Sequence, residues 1–444
     1  MTRRIPRSLP LLLGAAVAAA GLATLHLRLV APLIRGEPSF NDFKHLWLGA
    51  RLLHLGQSPY DEQALFALAA QHGLGGINPY VYLPFTGLVL TPLSHLPFGA
   101  AARLWLSLSA GTLALALMLL CLHLARRGRL GLGLAVLGAA AAWASQMMPV
   151  HRDLSAGQLN GPLALASVAI LIGLERRWLW LAGLAIAFGA MFKLSPGLFV
   201  LWLLWKRAWR PLAWTALFSA LFALWSLALA GWETHREFLP LLEQMRIGHS
   251  TWAHHGMAFH VDPANQAIGS FLSHIFAGAS ETKPWMALGQ GVANALTFGA
   301  VLVVLGALAV ATRRAWGPDG PPTDVLRAEW TLVVAGSLLL PSLMWDHYSV
   351  QLIPVILAGI WSTAESPSMS TRARGVATVL WVSWALLLTV WVLHWGEGMR
   401  SGWGLLAMSI RLWGVLGVFC LGLWWRWKAA EAPREAENVP PEIR

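Results

Sequence analysis

The sequence predicts an all-α polytopic membrane protein, and three observations carry that expectation. Of the 444 residues, 57% are hydrophobic and 12% are charged, roughly half the charged share of an ordinary soluble domain. The apolar residues run in long uninterrupted stretches, and within a bilayer only helices and closed barrels satisfy every backbone amide. The 32 lysines and arginines gather in short clusters between those stretches, as they do where a chain marks its cytoplasmic loops. The same clustering argues against nucleic acid as the reason for the net charge of +11, because a nucleic-acid binder concentrates its positive charge in one patch or stripe.

The elements follow in chain order. A membrane helix needs about 20 apolar residues. The first run, Leu9 to Ile34, exceeds the roughly 7–15 residues of a signal-peptide core and is read as a span. Basic clusters stand at Arg3/Arg4/Arg7, Arg126/Arg127/Arg129, Arg176/Arg177, Lys206/Arg207/Arg210, Arg313/Arg314, Arg372/Arg374 and Arg426/Lys428. One set of spans puts all of them on the cytoplasmic side: 9–34, 100–124, 130–148, 161–174, 178–193, 195–206, 211–231, 285–311, 328–346, 348–363, 376–395 and 404–427. This makes about twelve crossings with both termini inside. The run Leu83–Phe98, interrupted by Pro84, Pro92 and Pro97, has to dip in and return, a broken backbone tolerated only when buried in protein or lining a wet cavity. Residues 1–430 thus form one membrane domain, the outer loops 35–83 and 232–283 make its functional face, and 431–444 form a disordered cytoplasmic tail. Cys121 and Cys420 lie inside apolar runs, so no disulfide framework or cysteine metal site is expected.

This topology sends the unusual polar residues to the outer face. Asp42, in Phe40-Asn-Asp-Phe-Lys-His, opens an amphipathic helix reaching Leu55, where it serves either as a general base or merely as a helix cap. Lys193, in Met-Phe-Lys-Leu-Ser-Pro, sits in an apolar hairpin, where a cation has to snorkel or meet an anion such as a lipid phosphate. The stretch His151-Arg-Asp-Leu-Ser-Ala-Gly-Gln-Leu-Asn160 and the pair Asn265-Gln266 supply neutral groups suited to sugar hydroxyls or, equally, to interhelical bonds. Tyr80, Tyr82 and Trp345-Asp-His347 complete the outer set. Loop 232–262 carries His235, His249, His254, His255 and His260, but no His-Glu-x-x-His spacing, so no metal is expected. No phosphate loop, dinucleotide fingerprint or nucleophile elbow occurs, and no Asp-x-Asp pair is present to hold a metal on a nucleotide-sugar. No cofactor is expected.

The order Asp42-Phe, Gly56-Gln-Ser-Pro-Tyr-Asp61, Tyr80-Val-Tyr-Leu-Pro84, Pro92-Leu, Leu96-Pro97, Gly157-Gln-Leu-Asn160, Lys193-Leu-Ser-Pro196, Asn265-Gln266, then Pro341 and Trp345-Asp-His347 resembles glycosyltransferase family 87 over roughly positions 40 to 360. That family comprises bacterial polyprenyl-phosphate-sugar-dependent transferases of the GT-C superfamily, related to the phosphatidylinositol mannoside mannosyltransferases. The resemblance implies a GT-C-type bundle with outer-face loop helices in the bacterial inner (plasma) membrane. Its active site is extracytoplasmic, and it inverts while moving a hexose, mannose foremost, from a polyprenyl-phosphate donor to a glycolipid or glycan. Asp42 would be the base. Lys193, His347 and Arg152 would face the donor phosphate, while Gln158, Asn160, Asn265, Gln266, Tyr80 and Tyr82 meet sugar or acceptor. Where the family commonly pairs two histidines, this chain has Trp-Asp-His-Tyr. The rival expectation is a lipid or sugar transporter or flippase, which also has many spans and broken helices. The concentration of polar groups on one face and the lack of a clear internal repeat weigh against it.

Overall fold

The computed structural model describes residues 8–36, 38–125, 129–250, 253–279, 281–317, 320–366, 369–391 and 396–437. Arg3, Arg4, Arg7, Arg126, Arg127 and the final stretch 438–444 of the expected tail lie outside them. The described chain is helical, and its only extended pairings are the isolated bridges Asn265–Trp345 and Ala279–Thr282.

Helix α1 (Ser8–Leu25) passes through a π turn at His26–Val30 into α2 (Ala31–Arg35). Next come α3 (Asn41–His54), α4 (Glu62–Gln71), α5 (Pro84–Ser94), α6 (Phe98–Leu124), α7 (Leu130–Ala144), α8 (Met148–Ala156), α9 (Asn160–Glu175), α10 (Leu179–Phe192) and α11 (Leu198–Trp205). Helix α12 (Trp209–Gln244) breaks at Gly231, where φ is 76°. The remaining elements are α13 (Ile268–Phe276), α14 (Gln290–Ala311), α15 (Thr323–Leu339), α16 (Leu352–Glu365), α17 (Thr371–Thr389), α18 (Gly404–Met408) and α19 (Ile410–Glu437). The last helix continues past Trp427, where the span was expected to end.

Among the described residues, four helical stretches are long and apolar enough to cross a membrane: Ser8–Arg35, Phe98–Leu124, Trp209–Gln244 and Gln290–Ala311. The pair α7–α8, bent by 72°, makes a fifth if it counts as one span. Shorter apolar helices such as α9, with 16 residues, extend only about 24 Å, against a hydrocarbon core of about 30 Å. They stop early because polar turns, Gln158 to Asn160 and Lys193 to Ser195, interrupt their apolar runs. The expected re-entrant run becomes α5, an 11-residue helix opened by Pro84 and with a buried face, packed on α3 and α12.

Packing is closest where side chains are absent. A Cβ added at Gly14 or Gly21 would stand 2.0 Å from the carbonyl oxygen of Gly131 or Gly138, so α1 and α7 touch backbone to backbone, the way small residues drive helix association in lipid. The core is built around α15, of which Val325, Leu326 and the run from Ala328 to Leu339 are buried against α19, α16 and α9.

The bundle has two chemically different ends. At one, Glu329 accepts from Lys206 at 2.9 Å and from Arg426 at 2.9 Å. Nearby, Glu175 pairs with Arg327 at 2.7 Å and His123 at 2.8 Å, and Arg129 pairs with Glu365. Members of three expected basic clusters, Arg129, Lys206 and Arg426, therefore meet acids, and Arg327 and His123 meet Glu175 beside a fourth, at a common end of α9, α10 and α15. Lys206 and Arg426 are buried rather than solvated there. The opposite ends of the same three helices lead to Asn160, Lys193 and Trp345, with α3, α8 and α13 gathered around them.

Candidate active site

That second end encloses a cavity of about 380 Å³. Its polar groups include Asp42, His45, Tyr82, Gln158, Lys193 and Tyr348, and its apolar lining includes Phe238, Leu242, Met245, Phe259 and Leu338. A cavity lined by both polar and apolar side chains suits a ligand that carries a hydrophilic head on a hydrophobic tail.

Asp42 stands in the first turn of α3, a position at which acidic residues are favoured. It does not cap the helix. The N-cap is Phe40, in a left-handed conformation with φ 44°, and no side chain caps there. The carboxylate thus has no capping duty and lies on the cavity wall. One turn further along the same helix, His45 is 2% exposed, stacks on Tyr82 at 5.7 Å between ring centroids, and has no hydrogen-bond partner at either ring nitrogen. Burial pushes its pKa down, opposed by the Asp42 carboxylate, so the imidazole that faces the cavity is neutral near pH 7.

Tyr82 is held by its backbone: the Tyr60 hydroxyl donates to the Tyr82 carbonyl at 2.6 Å. Burial raises the pKa of its own hydroxyl well above the ordinary phenol value. Gln158 reaches this place because α8 ends in Gly157, whose φ of 74° turns the chain. A Cβ at Gly157 would approach that of Phe43 to 2.5 Å. The Gly157 carbonyl meanwhile accepts from Trp105 Nε1 at 2.9 Å.

Lys193 follows α10 in extended backbone (φ −156°). The end of α10 is anchored by the Thr86 hydroxyl, which donates to the Phe192 carbonyl at 2.9 Å. The Lys193 Nζ is buried, lies 3.3 Å from the ring centroid of Tyr348, and has no hydrogen-bond partner. Asp153 and Asp42 both act on its charge. A desolvated ammonium with free donors, facing a cavity and flanked by carboxylates without bonding to them, is arranged to receive an anion.

The other expected residues are placed differently. Arg152 donates to Asp346 Oδ2 at 2.6 Å, and His347 Nδ1 is 3.4 Å from Asp346 Oδ1. Neither lines the cavity, and Tyr348 occupies the wall where phosphate contact was expected of them. Asn160 is buried behind the wall, donating to Asp153 at 2.6 Å and accepting from Gln351 at 2.9 Å. Asn265 donates to the Phe259 and Ser342 carbonyls and accepts from the Ala267 and Met344 amides. Gln266 donates to the Pro263 and Met408 carbonyls and accepts from the Arg411 amide. Tyr80 donates to the Leu83 carbonyl at 3.1 Å and is 1% exposed. These four side chains bond within the protein and shape the cavity without lining it. Of the expected sugar and acceptor contacts, Gln158 and Tyr82 do line it.

Sequence reasoning did not single out Asp153, Asp346, Tyr348 or His45. Asp153 and Asp346 are each about as buried as a core leucine, and both sit inside stretches that were noticed for their neighbours. The available signal was a carboxylate next to an apolar run, which in a membrane protein points to function by default. The five loop histidines also separate. His235 bonds Ser226 and the Gly231 carbonyl at the break in α12, His249 and His260 line the cavity, and His254 and His255 meet Glu62.

Fold and site together define an all-helical, multi-pass membrane protein whose charged, half-greasy cavity opens among loop helices at one end of the bundle. Within that class, the chain belongs to glycosyltransferase family 87, whose model matches residues 80–342, more than half of its length. It is an enzyme, a glycosyltransferase, and the transporter expectation falls with that membership. Gln158 and Lys193 lie inside the matched segment, while Asp42 and Trp345-Asp-His347 flank it. A polyprenol-phosphate-mannose-dependent alpha-(1-2)-phosphatidylinositol pentamannoside mannosyltransferase of Mycolicibacterium smegmatis is 28% identical over 72% of this chain and 69% of its own. A polyprenol-phosphate-mannose-dependent alpha-(1-2)-phosphatidylinositol mannoside mannosyltransferase of Mycobacterium tuberculosis is 26% identical over 88% of each chain. The solved structure of ArnT from Cupriavidus metallidurans, bound to undecaprenyl phosphate, aligns over 96% of this chain and 81% of its own at 15% identity with a TM-score of 0.36. That likeness is too loose to carry any statement about this chain.

Proposed function

We propose that the enzyme transfers mannose from a polyprenyl-phosphate donor to a hydroxyl of a mannosylated glycolipid, with inversion, at the extracytoplasmic face of a bacterial inner membrane. The observation that carries this reading is the cavity that brings Asp42, Gln158 and Lys193 together with an apolar lining. The relatives that act on polyprenol-phosphate-mannose and phosphatidylinositol mannosides support the choice of donor and acceptor.

A polyprenyl phosphate is a good leaving group, so breaking the anomeric bond needs no strong acid. Asp42 takes the proton of the acceptor hydroxyl as that oxygen attacks the anomeric carbon from the face opposite the phosphate. Lys193 stabilises the charge that grows on the departing phosphate. Gln158 and Tyr82 meet sugar hydroxyls, and the lipid tail lies along Phe238, Leu242 and Met245. Asp153, Asp346, Arg152 and His347 act from behind and keep Lys193 and Tyr348 in place. The transfer itself uses no metal. In this reading both termini are cytoplasmic, the shorter helices complete about twelve crossings, and the basic clusters paired at the far end of the bundle mark the cytoplasm.

The test is reconstitution with polyprenyl-phosphate-mannose and a phosphatidylinositol mannoside acceptor. Asp42→Asn is expected to lower transfer by about 10²–10⁴-fold while donor binding is retained; transfer at the parent rate would remove Asp42 as base. Asn41→Cys in a Cys420→Ser background, probed with a membrane-impermeant maleimide on spheroplasts, reports the side. Labelling only after the membrane is opened would overturn the extracytoplasmic assignment.

A further inference from the structure

Away from the transfer chemistry, three metal-ligand side chains from distant parts of the chain converge. Glu62 opens α4, whose N-cap is Asp61, the Asp61 carboxylate accepting from the Ala64 amide at 3.1 Å. Because Asp61 does the capping, the Glu62 carboxylate is left to point outward. It meets the short 3-10 turn Ala253–His255: Glu62 Oε1 is 3.1 Å from His254 Nε2, and Oε2 is 2.8 Å from His255 Nε2. All three ligand atoms lie within 4.8 Å of one another.

Two readings compete for this contact. As plain hydrogen bonds, each imidazole donates an Nε2–H to the Glu62 carboxylate, with the two ring centroids 4.3 Å apart. As a metal site, the same three side chains offer two imidazole nitrogens and one carboxylate, a fitting donor set for zinc. Tetrahedral bonds of about 2.0–2.1 Å place neighbouring ligand atoms about 3.3 Å apart, close to the 2.8–3.3 Å between the carboxylate oxygens and the imidazole nitrogens. The side chains are 33%, 53% and 30% exposed, so a cation can enter and a water can fill a fourth position.

We propose that Glu62, His254 and His255 form a zinc-class site that clamps the histidine loop onto α4. The segment on either side of the turn, Met245 to Ser250 and Phe259 to His260, forms one wall of the cavity. Helix α4 follows directly on α3, the helix that carries Asp42. The cation therefore fastens the histidine loop to the helix that follows α3 and sets the width of the cavity without touching the reacting groups.

The experiment uses purified full-length protein, stripped with chelator and titrated with zinc chloride. One equivalent is expected to bind, with zinc-edge X-ray absorption showing imidazole scattering from two nitrogens. Glu62→Gln and the double variant His254→Ala/His255→Ala are expected to weaken binding by more than the roughly tenfold that loss of an outer-shell partner costs. Zinc is expected to slow hydrogen exchange over residues 245–261 in the parent and not in the double variant. The site is overturned by zinc uptake equal in parent and double variant, by no uptake, or by an absorption spectrum lacking imidazole. The clamp is overturned if zinc binds and exchange in the loop is unchanged. The absorption measurement needs no variant, so a misfolded mutant does not blunt the test.

Discussion

Replacing Lys193 by methionine separates a residue kept for chemistry from one kept for stability. Its Nζ is buried with no hydrogen-bond partner and rests over the Tyr348 ring at 3.3 Å. Losing a desolvated cation–π contact costs about 2 kcal/mol. Burying an ammonium costs several kcal/mol, on the order of the contact or more, unless a partner is bonded to it. Methionine has a similar length and carries no charge, so the two effects offset each other and the melting temperature of Lys193→Met should be no lower than that of the parent. Transfer behaves otherwise. If the ammonium meets the phosphate as it leaves, losing one such preorganised donor costs roughly 10²–10³ in kcat. The assay is initial-rate transfer from radiolabelled polyprenyl-phosphate-mannose in nanodiscs, normalised to folded protein, beside a thermal melt of the same preparation. A variant that melts early and transfers normally per folded molecule would show Lys193 to be a packing residue and refute its assignment to the phosphate.

Further outcomes follow from the same geometry. Asn265→Ala removes four side-chain hydrogen bonds within the protein and should cost about 3–4 kcal/mol of stability. A normal melt with a raised donor KM would return Asn265 to the sugar. His45 is held below its ordinary pKa by burial, so the unfolded chain binds the extra proton first as pH falls. Its contribution to stability is complete above about pH 6.5 and is lost as the pH drops toward the depressed folded value. His45→Phe, which keeps the stack on Tyr82, should therefore flatten the acid side of a stability-versus-pH curve; an unchanged slope would show that burial of His45 is not what sets it.

Much of the site was legible along the chain because membrane sequences make polar residues conspicuous. Asp42, Lys193, Gln158 and Tyr82 stood out against apolar surroundings, and all four line the cavity. Asn160, Asn265, Gln266 and Tyr80 stood out equally, yet their hydrogen-bonding capacity is used inside the protein. A neutral amide looks the same in sequence whether it faces a ligand or a neighbouring backbone carbonyl, and only packing distinguishes the two. The same limit applied to Glu62, which no spacing links to His254 across 192 residues.

By itself the sequence determined that this chain is helical and built for a bilayer, because its charge fraction is low and its apolar runs are far longer than the roughly 9–11 residues of a barrel strand, which leaves the helix to satisfy the backbone amides. It also determined where polar chemistry concentrates, since each break in an apolar run is costly and so is retained for a purpose. Only the tertiary structure decided which of those groups share a cavity, which merely brace it, and where the loop histidines find a carboxylate. Those outcomes depend on how helices far apart in the chain pack and on local turns such as Gly157, which brings Gln158 to the cavity.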